Sequence, residues 1–130
     1  METNERSKGH MSDDVLVFST GDSIHVVLYT AHERIAQIGE KMREYAGTAE
    51  INGYSWDALL RCWLSCNAPE LLEGMDSDPE EAHFEAYYAP SPQNLEKANA
   101  LAQVINELTA DEEEILGFLR ACGDEIEWKS

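Results

Sequence analysis

Ile51-Asn52-Gly53-Tyr54-Ser55-Trp56-Asp57-Ala58-Leu59-Leu60-Arg61-Cys62-Trp63-Leu64 is the stretch whose reading decides the fold. Asn52-Gly53 is a turn signal, because glycine reaches backbone conformations that a Cβ forbids. Ser55 is expected to cap the helix that follows, its hydroxyl accepting an otherwise unpaired N–H. Asp57 in the first turn then favours the positive end of the helix dipole. Trp56, Leu59, Leu60, Trp63 and Leu64 recur at helical spacing and form one wide apolar stripe. A stripe of that size demands a partner surface. It is read as the packing face of a central helix rather than as a binding groove.

Upstream, Val15-Leu16-Val17-Phe18 and Ile24-His25-Val26-Val27-Leu28-Tyr29 are rich in β-branched and aromatic residues and flank the turn-forming Ser19 to Ser23. They read as a β-hairpin with Ile24, Val26 and Leu28 on one face and His25, Val27 and Tyr29 on the other. Thr30 with Glu33 reads as a capping box opening a helix whose stripe is Ile35, Ile38, Met42 and Tyr45, ended by Gly47. Downstream, Asn67-Ala68-Pro69 breaks the central helix, and Pro69 to Leu72 starts one short further turn. Residues 73–81 form an acidic loop. His83-Phe84-Glu85-Ala86-Tyr87-Tyr88 alternates with period two, and puts Phe84, Ala86 and Tyr88 inward and His83, Glu85 and Tyr87 outward. Ser91 and Pro92 then open a helix carrying Leu95, Ala98, Leu101, Ala102, Ile105 and Leu108. Thr109 and Glu112 form a second expected capping box, before a last helix with Ile115, Leu116, Phe118, Leu119 and Cys122, closed by Gly123. The expected fold is α+β: a small antiparallel-type sheet, hairpin plus third strand, covered by four helices in the order ββααβαα. Residues 1–14 read as a flexible leader, 15–122 as one domain and 123–130 as a polar tail.

The chain has 130 residues, 43% of them hydrophobic, which fits one globular domain with a real core. No run of about 20 apolar residues occurs, so no membrane-spanning helix is expected. The start of the chain lacks the apolar stretch of a secretory signal. Three cysteines without such a signal read as reduced thiols of a cytosolic protein. Twenty-six acidic residues against nine basic ones give a formal net charge of −17. Such a field repels nucleic acid and anionic lipid, so direct binding to either is not expected. It steers a basic partner instead, chiefly by raising the association rate.

The residues offer little for catalysis. Asp76-Ser77-Asp78-Pro79-Glu80-Glu81 lacks the central glycine and spaced terminal glutamate of an EF-hand loop, so no metal is assigned to it. Cys62 and Cys66 stand one helical turn apart, but no second closely spaced Cys/His pair completes a zinc set, and they read as small packed thiols. There is no phosphate-binding glycine loop, nucleophile elbow or zinc-protease pair. No catalytic, cofactor-binding or metal-binding residue is assigned, and an enzyme is disfavoured.

The acidic clusters carry more information. Asp111 to Glu114 has a local explanation, since carboxylates in a first helical turn complement the dipole. The cluster around residues 70–85 has none, and mutually repelling charges on a loop point to a partner. The candidate partner-binding residues are Tyr54, Asp76, Asp78, Glu80, Glu81, His83, Glu85 and Tyr87, with the two tyrosines as interface anchors.

Asn52-Gly53-Tyr54-Ser55-Trp56, the block Asp78-Pro79-Glu80-Glu81-Ala82-His83-Phe84-Glu85-Ala86-Tyr87, and Leu95 through Leu108 together resemble the immunity protein 51 family. The likeness runs from about Val15 to Leu119 and departs from the pattern at Glu81-Ala82-His83, where a small residue is expected. The resemblance implies a bacterial antidote encoded beside a polymorphic secreted toxin, which inhibits that toxin domain by binding it in the cytoplasm. It implies no catalytic residues. A basic toxin acting on nucleic acid is the partner that the charge suggests. The alternative is an acidic adaptor or nucleic-acid mimic with a different basic partner. Oligomeric state does not follow from the residues.

Overall fold

The computed structural model describes residues 14–46, 51–126 and 128. Its elements are β1 (Val15–Ser19), β2 (Ile24–Tyr29), α1 (Glu33–Ala46), α2 (Gly53–Asn67), a 3-10 turn (Pro69–Leu72), β3 (Asp76–Ser77), β4 (His83–Tyr88), α3 (Pro92–Ala110), α4 (Glu112–Cys122) and a final 3-10 turn (Gly123–Glu125). The fold is the expected α+β arrangement of sheet and four helices, with one added strand. Two residues of the acidic loop, Asp76 and Ser77, pair antiparallel with β4, so the sheet has four strands in the order β1-β2-β4-β3. A two-residue strand carries no alternation long enough to reveal it in the sequence. The helix end expected at Gly47 lies outside the described residues.

Alternation sets the two sheet faces. Val15, Ile24, Val26, Leu28, Phe84, Ala86 and Tyr88 point into the core and are buried, as expected for β2 and β4. The registers Leu28↔Phe84, Val26↔Ala86 and Ile24↔Tyr88 stack these side chains across the central pair. α2 and α3 pack on this inner face, and α1 and α4 pack together and complete the helical layer, contributing Ile35, Ile38, Met42, Ile115 and Leu119 to the core. Tyr88 keeps its hydroxyl satisfied inside the core by donating to the Leu71 carbonyl at 2.7 Å.

α2 is central, but the stripe is narrower than its spacing suggested. Trp56 is 1% exposed and Leu59, Leu60 and Leu64 are buried, whereas Trp63 is only half-buried at the edge of the core. Similarly Tyr45 of α1 and Leu95 of α3 lie exposed where periodicity put them on the packed face. Tyr45 stands in the last turn of α1 and Leu95 in the first turn of α3.

Three caps differ from expectation. Asn52 rather than Ser55 is the N-cap of α2. Its Oδ1 accepts from the Tyr54 and Ser55 N–H groups, while the Asn52 N–H donates to Ser55 Oγ, making Ser55 the third residue of a capping box. Thr30 does not cap α1: its hydroxyl donates across to the Glu81 carbonyl, and α1 begins three residues later. Thr109 donates to the Ile105 carbonyl within α3, and Asp111 caps α4 by accepting from the Glu113 N–H. The Ser91 cap, with Pro92 opening α3, is as expected. Gly123 caps α4 in right-handed conformation, and the chain turns on to bury Ile126 against the core.

Asp14, placed by the sequence in a leader, is an anchor. Its carboxylate accepts from Arg34 Nη2 at 2.7 Å and lies 3.0 Å from His32 Nδ1. Arg34 also donates to the Thr109 carbonyl, which ties the start of β1 to α1 and to the end of α3.

Candidate functional site

The acidic turn is held by main chain, not by its carboxylates. β3 continues past Ser77 through Asp78 N–H to Glu85 C=O at 2.8 Å and a Glu80↔His83 bridge, so residues 76–83 fold into a hairpin on β4. Its tip is clamped from both sides. Gly53 N–H donates to the Glu81 carbonyl at 3.3 Å, Thr30 N–H to the Ala82 carbonyl at 3.0 Å, and the Thr30 hydroxyl to the Glu81 carbonyl. A third tie comes from Arg61 of α2. Its Nε lies 3.2 Å from the buried carboxylate of Asp57, and its Nη2 donates to Ser77 Oγ at 2.6 Å. Asp57 thus acts as a buried partner for Arg61 rather than as a free dipole-complementing charge.

With the backbone carrying the fold, Asp76, Asp78, Glu80 and Glu81 all project into solvent. Tyr54, 38% exposed on the first turn of α2, joins Asp78, Glu80 and Glu81 around one shallow hollow over Pro79 and Ala82. Asp76, Asp78, Glu80 and Glu81 therefore share the tip and edge of one hairpin, and Tyr54 of α2 stands beside its tip, which accounts for five of the eight candidate residues.

The other three line the outer face of the sheet, and the structure adds neighbours that the sequence did not single out. Strand register places Phe18, His25, Tyr87 and Asp76 in one row across all four strands. Phe18 and His25 stack with ring centroids 4.8 Å apart, and His25 and Tyr87 lie 5.9 Å apart. Leu16, Val27 and Glu85 form the next row, and Tyr29 and His83 the third. Leu16 is 41% exposed and Phe18 39%. Glu85 is not a free charge: His25 Nδ1 sits 2.5 Å from Oε2, and His83 Nε2 sits 3.6 Å from Oε1. Ser23 Oγ in turn lies 2.7 Å from His25 Nε2. His83 and Glu85 therefore stiffen the face, and the outward charge comes from the turn. Alternation along β2 already put His25 and Tyr29 outward; only pairing with β1 and β4 shows that they join Phe18 and Tyr87.

The three cysteines are free thiols; Cys66 is exposed and Cys62 and Cys122 are half-buried. Burial first, then the neighbouring Cys66 and Glu125, pushes the Cys62 thiol up from its ordinary value, which keeps it protonated and unreactive. Among the described residues no group of three His, Cys, Asp or Glu side chains is placed to hold a metal ion, and no helix is long and apolar enough to cross a membrane.

These features define a class: a small acidic α+β domain whose exposed features are an aromatic sheet face and a rigid, carboxylate-bearing turn. The family model for immunity protein 51 matches residues 15–123, and the chain belongs to that family. It is therefore an immunity protein, of a family whose members bind a cognate toxin protein. No curated protein and no solved structure matches the chain.

Proposed function

We propose that this chain is a cytoplasmic immunity protein of a polymorphic toxin system that inhibits a basic, nucleic-acid-targeting toxin domain by one-to-one binding. The observation that carries this reading is the continuity of the Phe18–His25–Tyr87 face with the acidic turn. Aromatic rings on a rigid sheet supply buried contact area at low entropic cost, and clamped carboxylates supply charge already in place. A toxin that holds nucleic acid needs a basic surface, and this turn is complementary to one. The inhibitor does no chemistry of its own, and its charge keeps it from nucleic acid and from anionic membranes. Tyr54, Asp76, Asp78, Glu80, Glu81, His83, Glu85 and Tyr87 make the contact, together with Phe18 and His25.

The test is co-expression with the toxin domain encoded beside this protein. Rescue of growth, a one-to-one complex and inhibition without substrate turnover are the expected results. A well-folded protein that binds no neighbouring gene product would instead be an acidic adaptor or nucleic-acid mimic.

A further inference from the structure

The two edges of the sheet are built differently. β3, at one edge, is only two residues long, and the clamped turn follows it. β1 forms the other edge. Tyr29 N–H donates to the Asp14 carbonyl and Thr20 N–H to the Ser23 carbonyl. With the one-to-one register between them, Leu16↔Val27 and Phe18↔His25 are then the hydrogen-bonded pairs of the hairpin. The N–H and C=O groups of Val17 and Ser19 therefore point away from β2. Among the described residues nothing bonds to them. Val15 is buried, but Val17 is only half-buried and Ser19 is exposed, so the open stretch runs along the second half of the strand.

Natural sheets protect such an edge with a charged side chain, a proline or a bulge. β1 has none of these: Val15-Leu16-Val17-Phe18-Ser19 is uncharged and pairs with β2 without interruption. Leu16 and Phe18 stand exposed beside the open groups on the outer face. An incoming strand meets apolar side chains there as well as main chain.

Charge and reach select the occupant. A second copy brings another formal charge of −17 against the first, which opposes self-pairing. Strands spaced about 4.8 Å apart put β1 about 14 Å from β3 across the sheet. A standard interface takes about 800 Å² from each partner, a patch roughly 30 Å across. One partner that grips the acidic turn and lies over the Phe18–His25–Tyr87 row therefore also reaches the β1 edge.

We infer that the partner toxin adds an extended segment to β1 and continues the sheet as a fifth strand. The inference rests on the immunity reading above and gives that contact a main-chain component. Main-chain pairing contributes affinity, and the positions beside Leu16 and Phe18 favour apolar side chains in the segment.

The experiment follows amide hydrogen exchange of the full chain, free and bound to the catalytically inactivated toxin domain encoded beside it. In the free chain the Val17 and Ser19 amides should exchange fast, and those of Leu16 and Phe18, which bond to β2, slowly. Binding should slow the first pair on the order of a hundredfold. Ser19→Pro removes one open N–H from an exposed, already extended position, where an edge strand tolerates proline. It should speed dissociation about tenfold with an unchanged melting curve. The exchange measurement needs no variant and decides the matter even if Ser19→Pro misfolds. If the complex forms but both amides exchange as in the free chain, the edge is unused, while the immunity reading stands. Protection of these amides in the free chain, growing with its concentration, would assign the edge to a second copy and overturn the proposal. If no complex forms, the immunity reading falls and this inference falls with it.

Discussion

The Cα of Gly53 presses directly against the hairpin tip: a Cβ there would lie 1.9 Å from the Glu80 carbonyl oxygen and 2.0 Å from that of His83. The start of the central helix and the acidic turn are thus one unit, and Gly53 N–H seals it with a hydrogen bond to Glu81. The glycine is needed for close approach, not for an unusual backbone angle.

Gly53→Ala is therefore expected to be among the most damaging single changes. Both clashing atoms are backbone, so the turn must move and its clamps from Gly53 and Thr30 must weaken. A loss of about 3 kcal/mol or more is expected, read as a lowered urea midpoint. Gly21→Ala, where a Cβ meets nothing within 4 Å, serves as the neutral control.

The two tryptophans of α2 should separate cleanly. Trp56 is fully buried, and Trp56→Ala should cost about 3–5 kcal/mol. Trp63 is half-buried, and Trp63→Ala should cost clearly less. Equal losses in parallel denaturation curves would show that Trp63 belongs to the core after all.

Burial pushes the Tyr88 hydroxyl up to about 12 from an ordinary 10. The neutral form is favoured in the fold, so the unfolded chain loses this proton first as pH rises. Its stabilising contribution is complete below about pH 10 and disappears as pH passes through about 12. One of the five tyrosines should titrate late in an ultraviolet titration. Tyr88→Phe should abolish that late step, and should cost about 1–3 kcal/mol at neutral pH by leaving the Leu71 carbonyl unpaired.

Reversing Asp78, Glu80 and Glu81 to lysine should slow association with the toxin domain and flatten its dependence on salt. The fold should survive within about 1 kcal/mol, because the turn is tied through its main chain. Stopped-flow association rates at low and high salt, beside a melting curve, check both halves. Wild-type rates would show that the turn is only a solvated surface.

The sequence by itself determined what depends on near neighbours in the chain. Alternation placed Phe84, Ala86 and Tyr88 inward, helical spacing found Trp56, Leu59, Leu60 and Leu64, and Ser91-Pro92 marked the start of α3. The family likeness was legible too, in Asn52 to Trp56 and Asp78 to Tyr87. What only the tertiary structure decided are the relations between distant segments. Whether Thr30 caps its own helix or bonds Glu81 is a competition between a local and a remote acceptor, and the remote one won. Periodicity marks a direction on a helix but not where the facing layer ends, so Trp63, Tyr45 and Leu95 could not be told from core. The row from Phe18 through His25 and Tyr87 to Asp76 exists only once four strands take their register. Side chains that meet across a sheet are brought together by hydrogen bonds between segments that carry no record of each other's alignment.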